Sequence, residues 1–358
     1  MDYNRKLVLA DGTTFLGNGF GHAGEAVAEV VFNTGMTGYE EVITDGAYSG
    51  QIVAMTYPII GNYGITAEVM EASPNGLSAL IVKDHCAEPS NWRSVATLDE
   101  AMKAKGIVGL TDVDTRALML KIRENGTMQG IIVDTSVTDA DAIAKLNATS
   151  ENITSVNTTK TPYTVAATDK KFTVAFIDFG AKNNGIVKEL TDRGCEVQVL
   201  PSHVTAEELA AKMVDGVVLG NGTEVAVDES VLLTIKTIVN NYPMFGLGYG
   251  HQLVAQAFGA KIEKLVMGHR GANIPVMCHA TGRTLITSQN HGSTVVKDSL
   301  AGTGLEVTHT AINDETVQGV KHTSLPVFGV QFIAEAHTGP ADSQYLFDQF
   351  VESLGGAR

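Results

Sequence analysis

Between residues 243 and 258 an apolar run, Pro243-Met244-Phe245, meets a glycine-dense turn, Gly246-Leu247-Gly248-Tyr249-Gly250. A helical segment follows, Gln252-Leu253-Val254-Ala255-Gln256-Ala257-Phe258. A strand passing through a cramped turn into a helix is the nucleophile-elbow pattern, which demands a sheet with helices packed on it. The elbow lifts one side chain above the sheet, close to a helix N-terminus. Small residues flank that position because the backbone crowds itself there. In this chain the tip falls on Gly248, which has no side chain. The sequence predicts the architecture for a nucleophile without the nucleophile.

The surrounding pattern agrees with such a sheet. Phe172 to Gly180 reads as a strand ending in a glycine turn, Asn184 to Arg193 as a helix, and Glu196 to Pro201 as the next strand. Ala206 to Met213 is helical and Gly216 to Gly220 is again a strand. This alternation predicts a mostly parallel, doubly wound sheet with ligands at the carboxyl ends of its strands. Earlier in the chain, strand patterns at Lys6–Ala10, Glu29–Asn33, Gln51–Thr56 and Leu77–Val82 alternate with turns such as Asp11-Gly12 and Pro74-Asn75-Gly76. Helical patterns cover Thr97–Lys105 and Asp114–Arg123, with Asp114 or Thr115 as N-cap candidates. Residues 151–171 are rich in Ser, Thr, Asn and Lys and carry Pro162, which reads as a linker. The expectation is an α/β chain with an N-terminal domain at 1–150 and a doubly wound domain at 172–358.

Composition narrows the function. A length of 358 residues suits two domains, and 44% apolar residues can fill their cores. No apolar run is long enough to span a bilayer, and no secretory signal is visible, so a cytoplasmic protein is expected. Cys86, Cys195 and Cys278 are odd in number and far apart, which suits free thiols rather than a disulfide framework. A formal net charge of −15 argues against nucleic acid and against anionic membranes as partners. No residue spacing points to a metal site or a cofactor.

Several ordered strings resemble the small subunits of carbamoyl-phosphate synthetases. They include Phe32-Asn33-Thr34-Gly35-Met36-Thr37-Gly38-Tyr39, Thr56-Tyr57-Pro58-Ile59-Ile60-Gly61-Asn62, Ser90-Asn91-Trp92-Arg93 and Asp114-Thr115-Arg116-Ala117-Leu118. In the C-terminal part they are Asp178-Phe179-Gly180, Gly271-Ala272-Asn273 and Ser288-Gln289-Asn290-His291-Gly292. The resemblance covers nearly the whole chain. It implies a small-subunit N-terminal domain that contacts a large synthetase subunit, followed by a class I glutamine amidotransferase domain. Members of that family split glutamine with a Cys-His-Glu set, stabilise the oxyanion with backbone N–H groups, and pass ammonia to the large subunit for pyrimidine or arginine biosynthesis.

Measured against that family, the catalytic cysteine position is Gly248 and the histidine position is Ile333, while the orienting carboxylate remains as Glu335. The glycine loop of the pocket reads Asn221-Gly222-Thr223-Glu224-Val225-Ala226, so Glu224 brings a side chain to a place where backbone approaches closely. Ser293 stands where the family has an aromatic residue, Ala47 where it has a glutamine-contacting serine, Ile274 where it has a histidine, and Tyr249 where it has leucine. The resemblance makes Ala47, Gly222, Glu224, Tyr249, Gln252, Asn290, Gly292 and Ser293 the pocket lining, and Asp45 and Gly339 neighbours of the ammonia route. Removing one triad member typically costs about 10⁴- to 10⁶-fold in rate. The expected function is a small subunit unable to hydrolyse glutamine, a scaffold or regulator for an ammonia-using large subunit.

Two other readings stay open. The reshaped pocket, made more polar by Glu224, Tyr249 and Ser293, suits a metabolite-binding regulatory module with a cationic or hydroxylated ligand. A repurposed hydrolase would need Glu335, His337 or His251, and spacing alone pairs none of them with a nucleophile. His269 and Arg270 read as a solvated loop, with contact to an anion as the other reading, and Cys278 as a buried small apolar residue.

Overall fold

The computed structural model describes residues 3–70, 76–149, 158–181, 184–224, 228–335 and 339–355. The chain divides into two compact units, Met1–Thr154 and Ser155–Arg358. The turn signal at Pro74-Asn75 and the start of the predicted linker lie outside the described residues.

In the N-terminal unit the short β-rich runs do not stop at an open sheet. They close into a barrel in the order Arg5–Leu9, Met128–Asp134, Ala26–Asn33, Gln51–Met55, Ala79–Ile81, Val108–Thr111 and Thr14–Gly21. Closure removes the unpaired edges that an open sheet would expose. Glycine permits the tight crossing: a Cβ on Gly109 would sit 2.6 Å from the Phe20 ring, on the strand paired with it. The helix Leu98–Lys105 lays Leu98, Ala101 and Met102 against barrel residues such as Val53 and Leu80. The helix Asp139–Thr149 covers Val8, Ile131 and Val133 with Ala142 and Leu146.

The C-terminal unit is one sheet with helices on both faces. Its parallel part runs Cys195–Pro201, Phe172–Phe179, Gly216–Gly222, Met244–Leu247 and Val327–Val330. Side chains alternate along the strands with period two. Val174 and Phe176 pack with the helices Asn184–Asp192 and Tyr345–Gly355, while Ala175 and Ile177 pack with Glu229–Ile238 and Tyr249–Ala257. The expectation of a mostly parallel sheet needs correction. Beyond Val327–Val330 the sheet continues antiparallel through Val317–His322, Arg283–Val295, Ile262–Cys278 and Leu305–Ala311. The cause is local: Ile262–Cys278 and Arg283–Val295 form a long hairpin around Gly282 (φ 65°), and a hairpin can only pair antiparallel. No helix among the described residues is long and apolar enough to cross a membrane.

Candidate functional site

The strand Met244–Leu247 turns through Gly248 into the helix Tyr249–Ala257, as the sequence pattern requires. Gly248 carries φ 55° and ψ −111°, a left-handed conformation that a side-chain-bearing residue adopts only under strain. Its N–H donates to the Val330 carbonyl at 2.9 Å, which ties the elbow to the neighbouring strand. The space a side chain would take at the tip is filled. A Cβ on Gly248 would lie 2.1 Å from Asn221 Oδ1 and 2.4 Å from Asn221 Cγ. Asn221 Oδ1 also accepts the Tyr249 N–H at 3.0 Å. That amide, just after the nucleophile position, is the donor such elbows direct at a developing oxyanion. Here a carboxamide from the next parallel strand already holds it.

Glu224 occupies the adjoining space. Its Oε1 accepts from Gln252 Nε2 at 2.5 Å and its Oε2 from the Gly292 N–H at 2.6 Å. Gln252 Nε2 additionally reaches Gln331 Oε1 at 3.1 Å and the Ser293 carbonyl at 3.3 Å. Although Glu224 as a residue is only half-buried, burial of its carboxyl raises the pKa. The Gly292 and Gln252 donors and the positive charge of Arg270 act against that rise. Arg270 is 4% exposed and lies along the strand register opposite Asn290, so the solvated-loop reading of His269 and Arg270 is wrong. A Cβ on Gly292 would sit 3.3 Å from both Arg270 Nη2 and Glu224 Oε2, which places the two side chains on the same glycine.

His291 lies deeper in the same network, bonded to Gln289 Oε1 and the Ser293 carbonyl, each at 2.8 Å. His269 contacts Gln289 Oε1 at 3.2 Å and Asp314 Oδ2 at 2.7 Å. That bond to His269 brings the Asp314 carboxyl down to about 2, against the opposing effect of its burial. His251 is fully buried, and desolvation pushes it down to about 3, so it stays neutral and sits out of reach of solvent. So low a basicity, with the ring out of reach of solvent, does not suit a general base in a repurposed hydrolase.

Other expected site residues are placed as follows. Ile333 is half-buried and held by its N–H to the Ser288 carbonyl at 2.9 Å. Glu335 closes that segment, and His337 lies outside the described residues. Tyr249 is no pocket wall: it is 4% exposed and its ring meets Phe179 edge-on at 5.5 Å in the hydrophobic layer. Burial pushes its phenol up to about 12. Gly222 is needed for packing, since a Cβ there would lie 2.1 Å from the Phe179 carbonyl oxygen. A Cβ on Gly339 would meet Ser288 Oγ at 2.0 Å. Asp45 and Ala47 belong to the N-terminal unit, where the buried Asp45 carboxylate accepts the Ala47 N–H at 2.9 Å and caps a short 3₁₀ turn. Cys278 is buried, with its sulfur 3.8 Å from the Tyr345 hydroxyl.

Sequence reasoning missed Asn221 as the occupant of the tip, and Gln331 and Asp314 as parts of the polar network. The signal for Asn221 was its place at the end of a strand parallel to the one feeding the elbow; the register pairs Leu219 with Gly246.

Residues 7–132 match the family described as carbamoyl-phosphate synthase small chain, CPSase domain, and residues 175–353 match glutamine amidotransferase class-I. The carbamoyl phosphate synthase small chain of Bacillus caldolyticus is 47% identical, over 97% of this chain and 95% of its own. That of Fusobacterium nucleatum is 47% identical over 98% of both chains. The pyrimidine-specific small chain of Bacillus subtilis is 46% identical over 98% of this chain and 96% of its own. With both domains matched and nearly half of all positions shared end to end, the chain belongs to the carbamoyl-phosphate synthase small-chain family.

Proposed function

We propose that this small chain does not hydrolyse glutamine and instead acts as a scaffold or regulatory partner for a large chain that uses free ammonia. The observation that carries the reading is the elbow tip. Gly248 offers no nucleophile, and Asn221 stands in the space where one would project. Ile333 supplies no imidazole for proton transfer. Loss of either chemical group alone costs about 10⁴-fold or more. Outside these positions the chain shares 47% identity with a small chain over 97% of its length, which suits a partner-binding role.

The metabolite-module reading has less support. It rests on Glu224, Tyr249 and Ser293 as polar walls for a cationic or hydroxylated ligand. Glu224 is already held by two donors beside a guanidinium, and Tyr249 packs in the core.

The test is reconstitution with a large chain from a relative, measuring carbamoyl phosphate formed from glutamine or from ammonia. Ammonia supports synthesis and glutamine does not. Equal synthesis from the two nitrogen sources would defeat the proposal.

A further inference from the structure

We infer that Glu224 is a resident ligand of its own pocket: its carboxylate fills the subsite that would otherwise receive the carboxylate of a free amino acid, and so sets the pocket against such ligands. The inference rests on the reading of this site as a silent amidotransferase pocket and adds a second, independent block. Absent chemistry prevents turnover, and an internal carboxylate prevents binding.

The surroundings of Glu224 are those of an anion site. Gln252 Nε2 and the Gly292 N–H converge on its two oxygens at 2.5 and 2.6 Å, in the range of charge-assisted hydrogen bonds. Arg270, 4% exposed, lends positive charge from the adjacent strand. Further donors are present than one carboxylate uses. Among the described residues, Asn290 Nδ2 and Gln331 Nε2 are buried without a partner, in side chains only 6% and 2% exposed. Gln331 joins the Glu224 cluster through Gln252, and Asn290 sits opposite Arg270 in the hairpin register. Unmatched buried donors are costly, and these two would be satisfied by an acceptor-rich guest. Glu224 satisfies the pair nearest to it and leaves the others open.

Tethering decides the competition. A carboxylate on a short chain segment acts at an effective concentration of the order of millimolar or higher, which a free amino acid at micromolar levels does not overcome. Removing the Glu224 carboxylate exposes the Gln252 and Gly292 donors and adds them to the unmatched set. A glutamine carboxylate then gains the two donors that Glu224 holds in the wild-type chain.

Calorimetric titration of L-glutamine and L-glutamate into the full chain and into Glu224→Ala tests this. The wild-type chain gives no saturable binding at micromolar ligand. Glu224→Ala binds with an affinity raised by roughly 100-fold or more. Glu224→Gln, which keeps the volume but loses the charge, falls between them and serves if the alanine variant does not fold. Indistinguishable affinities for wild type and a folded variant, whether both bind or neither does, overturn the inference. A parallel assay for glutamate release separates the two proposals. Hydrolysis by the wild-type chain removes the silent-subunit reading, whereas wild-type binding without hydrolysis removes only the resident-ligand inference.

Discussion

Position 248 shows how a missing side chain can still leave a defined site. The left-handed backbone at φ 55° is the conformation an elbow imposes on its tip, and glycine adopts it without the Cβ penalty. Asn221 then takes both the vacated volume and the free amide of Tyr249. The glycine at the tip was legible from the order of residues alone, because the tip of a strand–turn–helix is fixed by spacing. The filling of the site was not, since it depends on which atom of a neighbouring strand reaches across. Burial of histidine gives the residue scale its own test. His251 is held neutral at about 3, below its ordinary 6.5, so protonation favours the unfolded chain. Its contribution is complete above pH 6.5 and drains away as pH falls toward 3, at about 1.4 kcal/mol per pH unit. Desolvation likewise lowers His291, and His309 to about 4, so they add to the same acid loss. Denaturant unfolding followed from pH 7 to pH 5 should show a slope that is shallower by about that amount in His251→Gln. An unchanged slope would mean that His251 is not kept neutral by burial.

At the scale of elements, caps and strands with clean alternation were readable, and elements that depend on glycine or on bulges were not. The helix Leu98–Lys105 begins where Thr97 and Glu100 form a reciprocal capping box, and Asp114 caps Thr115–Asn125 by accepting the Ala117 N–H at 2.9 Å. Thr97→Ala removes the acceptor for the Glu100 N–H and should cost about 1 kcal/mol in chemical denaturation; no change would show that the cap is redundant. The strand Thr14–Gly21 escaped notice because Gly17, Gly19 and Gly21 break its pattern. Those glycines allow the backbone crossings that close the barrel, as the 2.4 Å between a Cβ at Gly17 and the Thr111 carbonyl oxygen illustrates. The strand Ile262–Cys278 was obscured differently. Register shifts between Lys264 and His269, and between Gly271 and Ile274, disturb the period-two signal and turned His269 and Arg270 into an apparent loop.

For the molecule as a whole, the proposed function separates family from chemistry. Residues 7–132 and 175–353 match the two families of the carbamoyl-phosphate synthase small chains, and 47% identity extends over 97% of the chain. Under the proposed reading, the positions that would carry thiol and imidazole hold Gly248 and Ile333. Fold is set by many apolar contacts distributed over both cores, so it survives exchanges at a handful of sites; amide hydrolysis depends on two or three atoms and does not. The most direct check is steady-state release of glutamate from L-glutamine by the wild-type chain, alone and with a large chain added. No release above the uncatalysed background is the predicted result. Turnover near one per second, a typical enzymatic rate, would contradict the account at its centre.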